Sequence, residues 1–367
     1  MKRDDRLAPY YRWEFRDDPR WAWPGYVADT WVSPGCMDGN HEVLEPGLPE
    51  DEVEEAQMVY TMGLASVCDA LKKETDETNG SWLDLEAGPC PEEPDGPKVA
   101  LHIRVPKGYD EGDDLPVLFY IFGAGFIFDP QTFDRNIIDL SDDLHCIVVA
   151  PNYRRHPIYK FPDNINDLHA AYQWVVDHGR EHHMDTSRIV LNGESAGGWY
   201  SISLAHRLKR YGLRPRGVVA IAPVIEDRGN GSSCRYDFNA TGLDYEACMR
   251  VFNSYLGTGK MGCGALSPEA IPNHATVEDM AGMPPMVIHA MESDPMRDGG
   301  VEYAQKLLDA GVFCSLHVWG GVAHGTFSAM GIKDIDDPLM KRHYQEKLQD
   351  IQAFFDHDFD RSWRFEG

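Results

Sequence analysis

Continuous apolar runs, not alternating ones, organise the chain from residue 81 onward. "LPVLFYIFG" (115–123), "CIVVAPNY" (146–153), "RIVLNG" (188–193), "GVVAIAP" (217–223) and "PPMVIHAM" (284–291) are short and rich in β-branched residues. Helical stretches at 164–178, 196–211 and 299–310 separate several of them. Unbroken Val/Ile runs divided by helices predict a mostly parallel sheet covered on both faces. Two strands joined by a proline-rich turn, "SWLDLEA" and "KVALHIRV", precede this alternation. The pattern predicts an α/β protein with a central, mostly parallel sheet flanked by helices.

Two regions break the rhythm. Residues 1–80 scatter Trp13, Trp21, Trp23 and Trp31 among prolines and charges. "PEDEVEEAQMVYTMGLASVCDALKK" (49–73) then reads as an amphipathic helix, acidic in its first turn and basic at its end. Residues 226–282 are too many for an ordinary crossover and contain a helix signal around 245–256. Together they predict a helical cap over the carboxyl ends of the strands, where open α/β sheets bind ligands. The division is an N-terminal cap segment (1–80), a core (81–225 and 283–367) and a cap insertion (226–282). The early tryptophans either anchor that cap or line a pocket.

Composition narrows the function classes. A formal net charge of -26 and a pI near 4.8 oppose phosphate backbones and anionic membranes, so neither nucleic acid nor membrane is an expected partner. The eight cysteines form no CxxC pair, which argues against a zinc knuckle or a disulfide framework. Without an apolar segment behind "MKRDDRLAPYYRWEFRDD", or a long apolar run elsewhere, the expected setting is cytoplasmic.

The chemistry concentrates at three strand ends. "VLNGESAGGWYSISLAHRL" runs a strand into Gly193-Glu194-Ser195-Ala196-Gly197 and at once into a helix. That spacing serves a sharp turn exposing the Ser195 hydroxyl at the sheet's top edge. Serine needs a base to take its proton and an acid to orient the base. Asp294 follows the strand in "PPMVIHAMESDPMRDGG", and His324 follows the next in "SLHVWGGVAHGTFSAM". Glu292 and Asp298 are weaker alternatives for the acid, one inside the strand and the other opening a helix. "DHGREHHMD" gathers His178, His182, His183 and Glu181, and helix-terminal cations suit it better than metal ligands. Arg154, Arg155 and His156 either brace a loop or steer an anionic group.

"GESAGG", "ESDPMRDGG" and "GVAHGTF" resemble the catalytic motifs of the hormone-sensitive-lipase-like branch of the α/β-hydrolases, which includes many microbial carboxylesterases. The resemblance runs from about residue 98 to the C-terminal helix. It implies the α/β-hydrolase fold with a helical cap, hydrolysis of small to medium carboxylic esters through an acyl-enzyme, and no cofactor. A small-molecule ester is the implied partner, and a homodimer stays open. So do a non-hydrolytic ligand-binding relative and other reactions of the same triad: acyl transfer, lactone or amide cleavage.

The family's Tyr-Arg-Leu-Ala-Pro-Glu-x-x-Phe-Pro stretch is matched here by Tyr153, Arg154, Phe161 and Pro162, with Asp167 beyond. Arg155, His156, Pro157 and Ile158 depart from it. The family's His-Gly-Gly-Gly reads Phe122-Gly123-Ala124-Gly125 in this chain. By position, the resemblance makes Ala124, Gly125 and Ala196 the oxyanion-hole donors, with Phe122, Gly123 and Glu194 near the substrate. Backbone donors survive a side-chain change. Phe122, however, cannot make a histidine's hydrogen bond. Either its packing replaces that support or the hole is looser, with modest activity and an altered substrate range.

Overall fold

Strands whose every side chain is apolar can be buried on both faces only if helices cover the sheet above and below. The computed structural model, which describes residues 80–109, 112–123, 134–154, 159–226, 255–256, 267–324 and 337–359, has this arrangement. Eight strands lie in one sheet: β1 (Ser81–Ala87), β2 (Val99–Val105), β3 (Leu115–Ile121), β4 (Ile147–Pro151), β5 (Met184–Glu194), β6 (Gly217–Ile221), β7 (Met286–Ser293) and β8 (Cys314–Ala323). Their spatial order is β1-β2-β4-β3-β5-β6-β7-β8. β2 pairs antiparallel with β1 and β4, and every pairing from β4 to β8 is parallel. β3, β4 and β6 are buried at every position.

The covering helices are α1 (Asp134–Leu144), α2 (Asp163–His178), α3 (Ala196–Arg210), α4 (Val277–Met280), α5 (Arg297–Asp309) and α6 (Pro338–Asp356). Local chemistry marks two of their starts. Asp337 caps α6 by accepting from the Met340 N–H at 2.9 Å, with Pro338 in the first turn. Thr276 and Asp279 close a reciprocal capping box on α4. The sequence pattern did not predict α1. Its segment "DRNIIDLSDDL" buries Ile137, Ile138, Leu140 and Leu144 on one face.

The expected helix at 49–73 and the early tryptophans lie outside the described residues. Of the expected helix near 245–256, Tyr255 and Leu256 are described, both helical and buried. The end of the 226–282 stretch packs on the core: Ala270, Ile271, Ala275 and Met280 join the same buried cluster as the sheet. Arg154 proves to be a loop brace. Its side chain bonds Asp167 at 2.8–3.0 Å and Glu93 at 2.5–3.1 Å, tying the β1–β2 connection to α2. Arg155 and His156 lie outside the described residues.

Candidate active site

The sheet's register brings three chain-distant residues to one edge. Ile121 ends β3 level with Gly193 of β5, and Glu194 pairs with Ile221 at the end of β6. Ser293 of β7 pairs with Ala323 of β8, so the next residue on each strand, Asp294 and His324, leaves the sheet beside the other.

Ser195 occupies the turn between β5 and α3 at φ 57° and ψ −119°, a conformation costly for any residue with a Cβ. Its N–H donates to the Ile221 carbonyl at 2.8 Å, and its carbonyl accepts from Trp199 N–H at 3.0 Å. The flanking glycines are required by contact. A Cβ on Gly197 would lie 2.0 Å from the Ile121 carbonyl oxygen, and one on Gly193 would lie 2.4 Å from the Gly197 backbone. β3, β5 and α3 therefore meet backbone to backbone beneath the serine, which sits at the positive end of α3.

The same closeness explains Gly123. A Cβ there would come 2.1 Å from the Glu194 carbonyl oxygen. The segment leaving β3 rests directly on the serine's turn, and only glycine permits it.

His324 links the other two residues. Its Nδ1 lies 2.8 Å from Asp294 Oδ2, and its Nε2 lies 2.8 Å from Ser195 Oγ. An ionised carboxylate only accepts, so the ring proton sits on Nδ1 and leaves Nε2 to accept from the serine hydroxyl. Asp294 is fully buried, and its other oxygen accepts from Met296 N–H at 2.8 Å. Burial tends to strip the imidazole of its proton. The charge and hydrogen bond of Asp294, with the Glu194 charge behind them, outweigh it and hold the His324 pKa above the ordinary histidine value.

The structure separates the remaining expected residues. Ala196 is buried in the first turn of α3, where backbone N–H groups lack intrahelical acceptors. Ala124 and Gly125 lie outside the described residues. Glu194 is half-buried beside the serine. Phe122, expected near the substrate, has a fully buried side chain stacked on Tyr153 with ring centroids 4.6 Å apart. Tyr153, matched by the family stretch but given no role from the sequence, stands two positions past the end of β4.

Glu292 lies within β7 and Asp298 in the first turn of α5, and the carboxylate that reaches His324 is Asp294. Away from this edge, His289, His317 and Asp350 converge among the described residues. Trp319 donates its indole N–H to His289 Nδ1 at 3.1 Å, which puts the ring proton on Nε2, 2.9 Å from Asp350. Nε2 therefore faces Asp350 as a donor, and a metal ligand needs a lone pair there. His178 sits 3.2 Å from Glu181, and Trp174 packs near both His178 and His182 at the end of α2.

A mostly parallel sheet with a strained serine turn at its centre, an acid after β7 and a histidine after β8 is the arrangement of a hydrolase of the α/β class. Residues 118–328 match the family described as the alpha/beta hydrolase fold, and the chain belongs to it. Among its relatives is the esterase LipI of Mycobacterium tuberculosis, 29% identical over 243 residues that cover 65% of this chain and 74% of that one. An ethyl acetate hydrolase of Pseudomonas putida is 28% identical over 251 residues, covering 67% and 77%. The solved structure of a bacterial heroin esterase superposes with a TM-score of 0.73 at 26% identity, covering 88% of this chain and 98% of that one.

Proposed function

We propose that the protein is a serine carboxylesterase of the hormone-sensitive-lipase-like branch, acting on small to medium carboxylic esters. The observation that carries this reading is the hydrogen-bonded line Ser195–His324–Asp294, closed at 2.8 Å on both sides of the imidazole. The esterases among its relatives support it.

In this reading His324 Nε2 takes the Ser195 proton as Oγ attacks the ester carbonyl, and Asp294 holds the imidazolium that results. The tetrahedral oxyanion is met by the N–H groups of Ala196, Ala124 and Gly125. His324 then returns the proton to the departing alcohol, leaving an acyl-enzyme. Water, deprotonated by the same imidazole, releases the acid. A ground-state pKa above the usual histidine value suits a base that must carry a proton through the reaction. The chemistry is complete with protein groups and water. The N-terminal segment 1–80 and the insertion 226–282 are the parts of the chain we assign to the cap that sizes the acyl and alcohol pockets.

Release of p-nitrophenol from acetyl, butyryl and octanoyl esters, measured for the wild type and Ser195→Ala, tests the reading. Turnover that depends on Ser195 supports it, and the preferred chain length sizes the acyl pocket. A wild type no faster than folded Ser195→Ala rejects it.

A further inference from the structure

Phe122 stands at the point where the chain leaves β3 for the proposed oxyanion donors, and its side chain has no polar atom with which to fasten that loop. Its backbone does. The Tyr153 hydroxyl donates to the Phe122 carbonyl at 2.8 Å. The Tyr153 ring also stacks on the Phe122 ring, with centroids 4.6 Å apart and planes inclined by 18°. Both side chains are essentially excluded from water, Tyr153 at 1% and Phe122 at 0% exposure, so the bond is made where no solvent competes.

The peptide joining Phe122 to Gly123 is a rigid plane, so holding its carbonyl also sets the direction of the Gly123 N–H and the exit toward Ala124. The same plane is seated from the other side. Gly123 lies so close to the Glu194 carbonyl that a Cβ would fall 2.1 Å from it. The far edge of Tyr153 meets Tyr200 at 5.2 Å and a 72° angle, and Tyr200 belongs to α3, the helix that starts at Ser195. Asn164 of α2 in turn donates to the Tyr200 hydroxyl at 2.7 Å. One aromatic side chain thus touches both halves of the catalytic edge: the strand exit that leads to the donors and the helix that carries the nucleophile.

From this we infer that Tyr153 is a positioning residue for the oxyanion hole, fastening the Phe122–Gly123 peptide through its hydroxyl and indexing it against α3 through its ring. The inference rests on the hydrolase reading above. It assigns the supporting hydrogen bond, absent from the Phe122 side chain, to a residue from a different strand end.

Tyr153→Phe removes the hydroxyl and keeps the ring. The expected result is a loss in kcat for p-nitrophenyl butyrate of about 10- to 100-fold with KM within about twofold, because the oxyanion forms only after substrate is bound. A boronic acid, which forms a tetrahedral adduct on the serine, should lose affinity by the same factor. The midpoint of the acid limb of the pH profile should not move, since His324 and Asp294 are untouched. Gly123→Ala, which displaces the same peptide from its other side, should reproduce the loss in kcat, and it supplies the test should Tyr153→Phe not fold.

A folded Tyr153→Phe whose kcat and boronate affinity stay within about twofold of wild type overturns the inference. So does a loss accounted for by a shifted pH midpoint, or a Gly123→Ala enzyme of wild-type kcat. Ser195→Ala is measured alongside. If the wild type is no faster than Ser195→Ala, the hydrolase reading fails and takes this one with it; Ser195-dependent turnover that Tyr153→Phe leaves intact overturns the positioning role alone.

Discussion

Gly197→Ala adds one methyl group at the tightest point beneath Ser195, the proposed nucleophile. Its Cβ would lie 2.0 Å from the Ile121 carbonyl oxygen, 2.9 Å from the Ile121 carbonyl carbon and 3.0 Å from the Phe122 carbonyl carbon, all backbone atoms. Ordinary contact begins near 3.4 Å, so β3 and the first turn of α3 must part by about 1.4 Å. No side-chain rotation relieves this, and the shift falls on the turn that holds Ser195. A displacement of about 1 Å at a reacting atom costs on the order of 100-fold in rate, and Gly197→Ala should lose at least that much kcat. The melting temperature should fall as well, because the parallel ladder between β3 and β5 is pried open at its end. Steady-state hydrolysis of p-nitrophenyl butyrate, with thermal unfolding followed by circular dichroism, reads both. A Gly197→Ala protein with kcat within about twofold of wild type would refute the claim that backbone contact fixes the Ser195 turn.

Two further substitutions probe neighbouring parts of the account. Gly300→Ala lies inside α5, where a Cβ meets only Ile288 Cγ2 at 3.6 Å and a proline ring atom at 4.0 Å. With room available, the gain in helix propensity should stabilise the protein by up to about 1 kcal/mol and leave kcat unchanged, read as a small rise in melting temperature. Asp294→Asn removes the charge that holds the His324 pKa above its ordinary value. With His324 as the proposed base, activity needs its neutral form, so kcat/KM falls as pH drops through a pKa held above the ordinary histidine value. The variant's limb should move to lower pH while its plateau falls by roughly 10⁴-fold. A midpoint that does not move would show that the Asp294 charge is not what sets it.

Much of the site could be read from the chain because it is built on strand ends. Ser195 and Asp294 each follow a buried apolar run and His324 follows the partly exposed edge strand β8, and parallel strands send such ends to one edge. Chain order and glycine spacing then single them out, and the structure brings them within hydrogen-bond distance of one another. Packing across the fold is another matter. No local pattern says that Phe122 turns inward onto Tyr153, or that Tyr153 reaches a carbonyl 31 residues away. α1 was not read from the sequence, although Ile137, Ile138, Leu140 and Leu144 fall on one buried face. The network of Arg207 with Glu269, Glu92 and Asn166 joins four separate segments that no spacing rule connects. Burial partners are a property of the assembled sheet and helices, and only periodicity and strand-end chemistry are local enough to be written in a short stretch of sequence.

The most direct test of the central claim is chemical labelling of the nucleophile. The protein is incubated with a diethyl phosphoryl ester that traps activated serines, and the digest is read by mass spectrometry. One adduct is expected, on Ser195, formed in step with loss of ester hydrolysis and abolished by His324→Ala. An adduct elsewhere, or hydrolysis that persists after Ser195 is fully labelled, would contradict it.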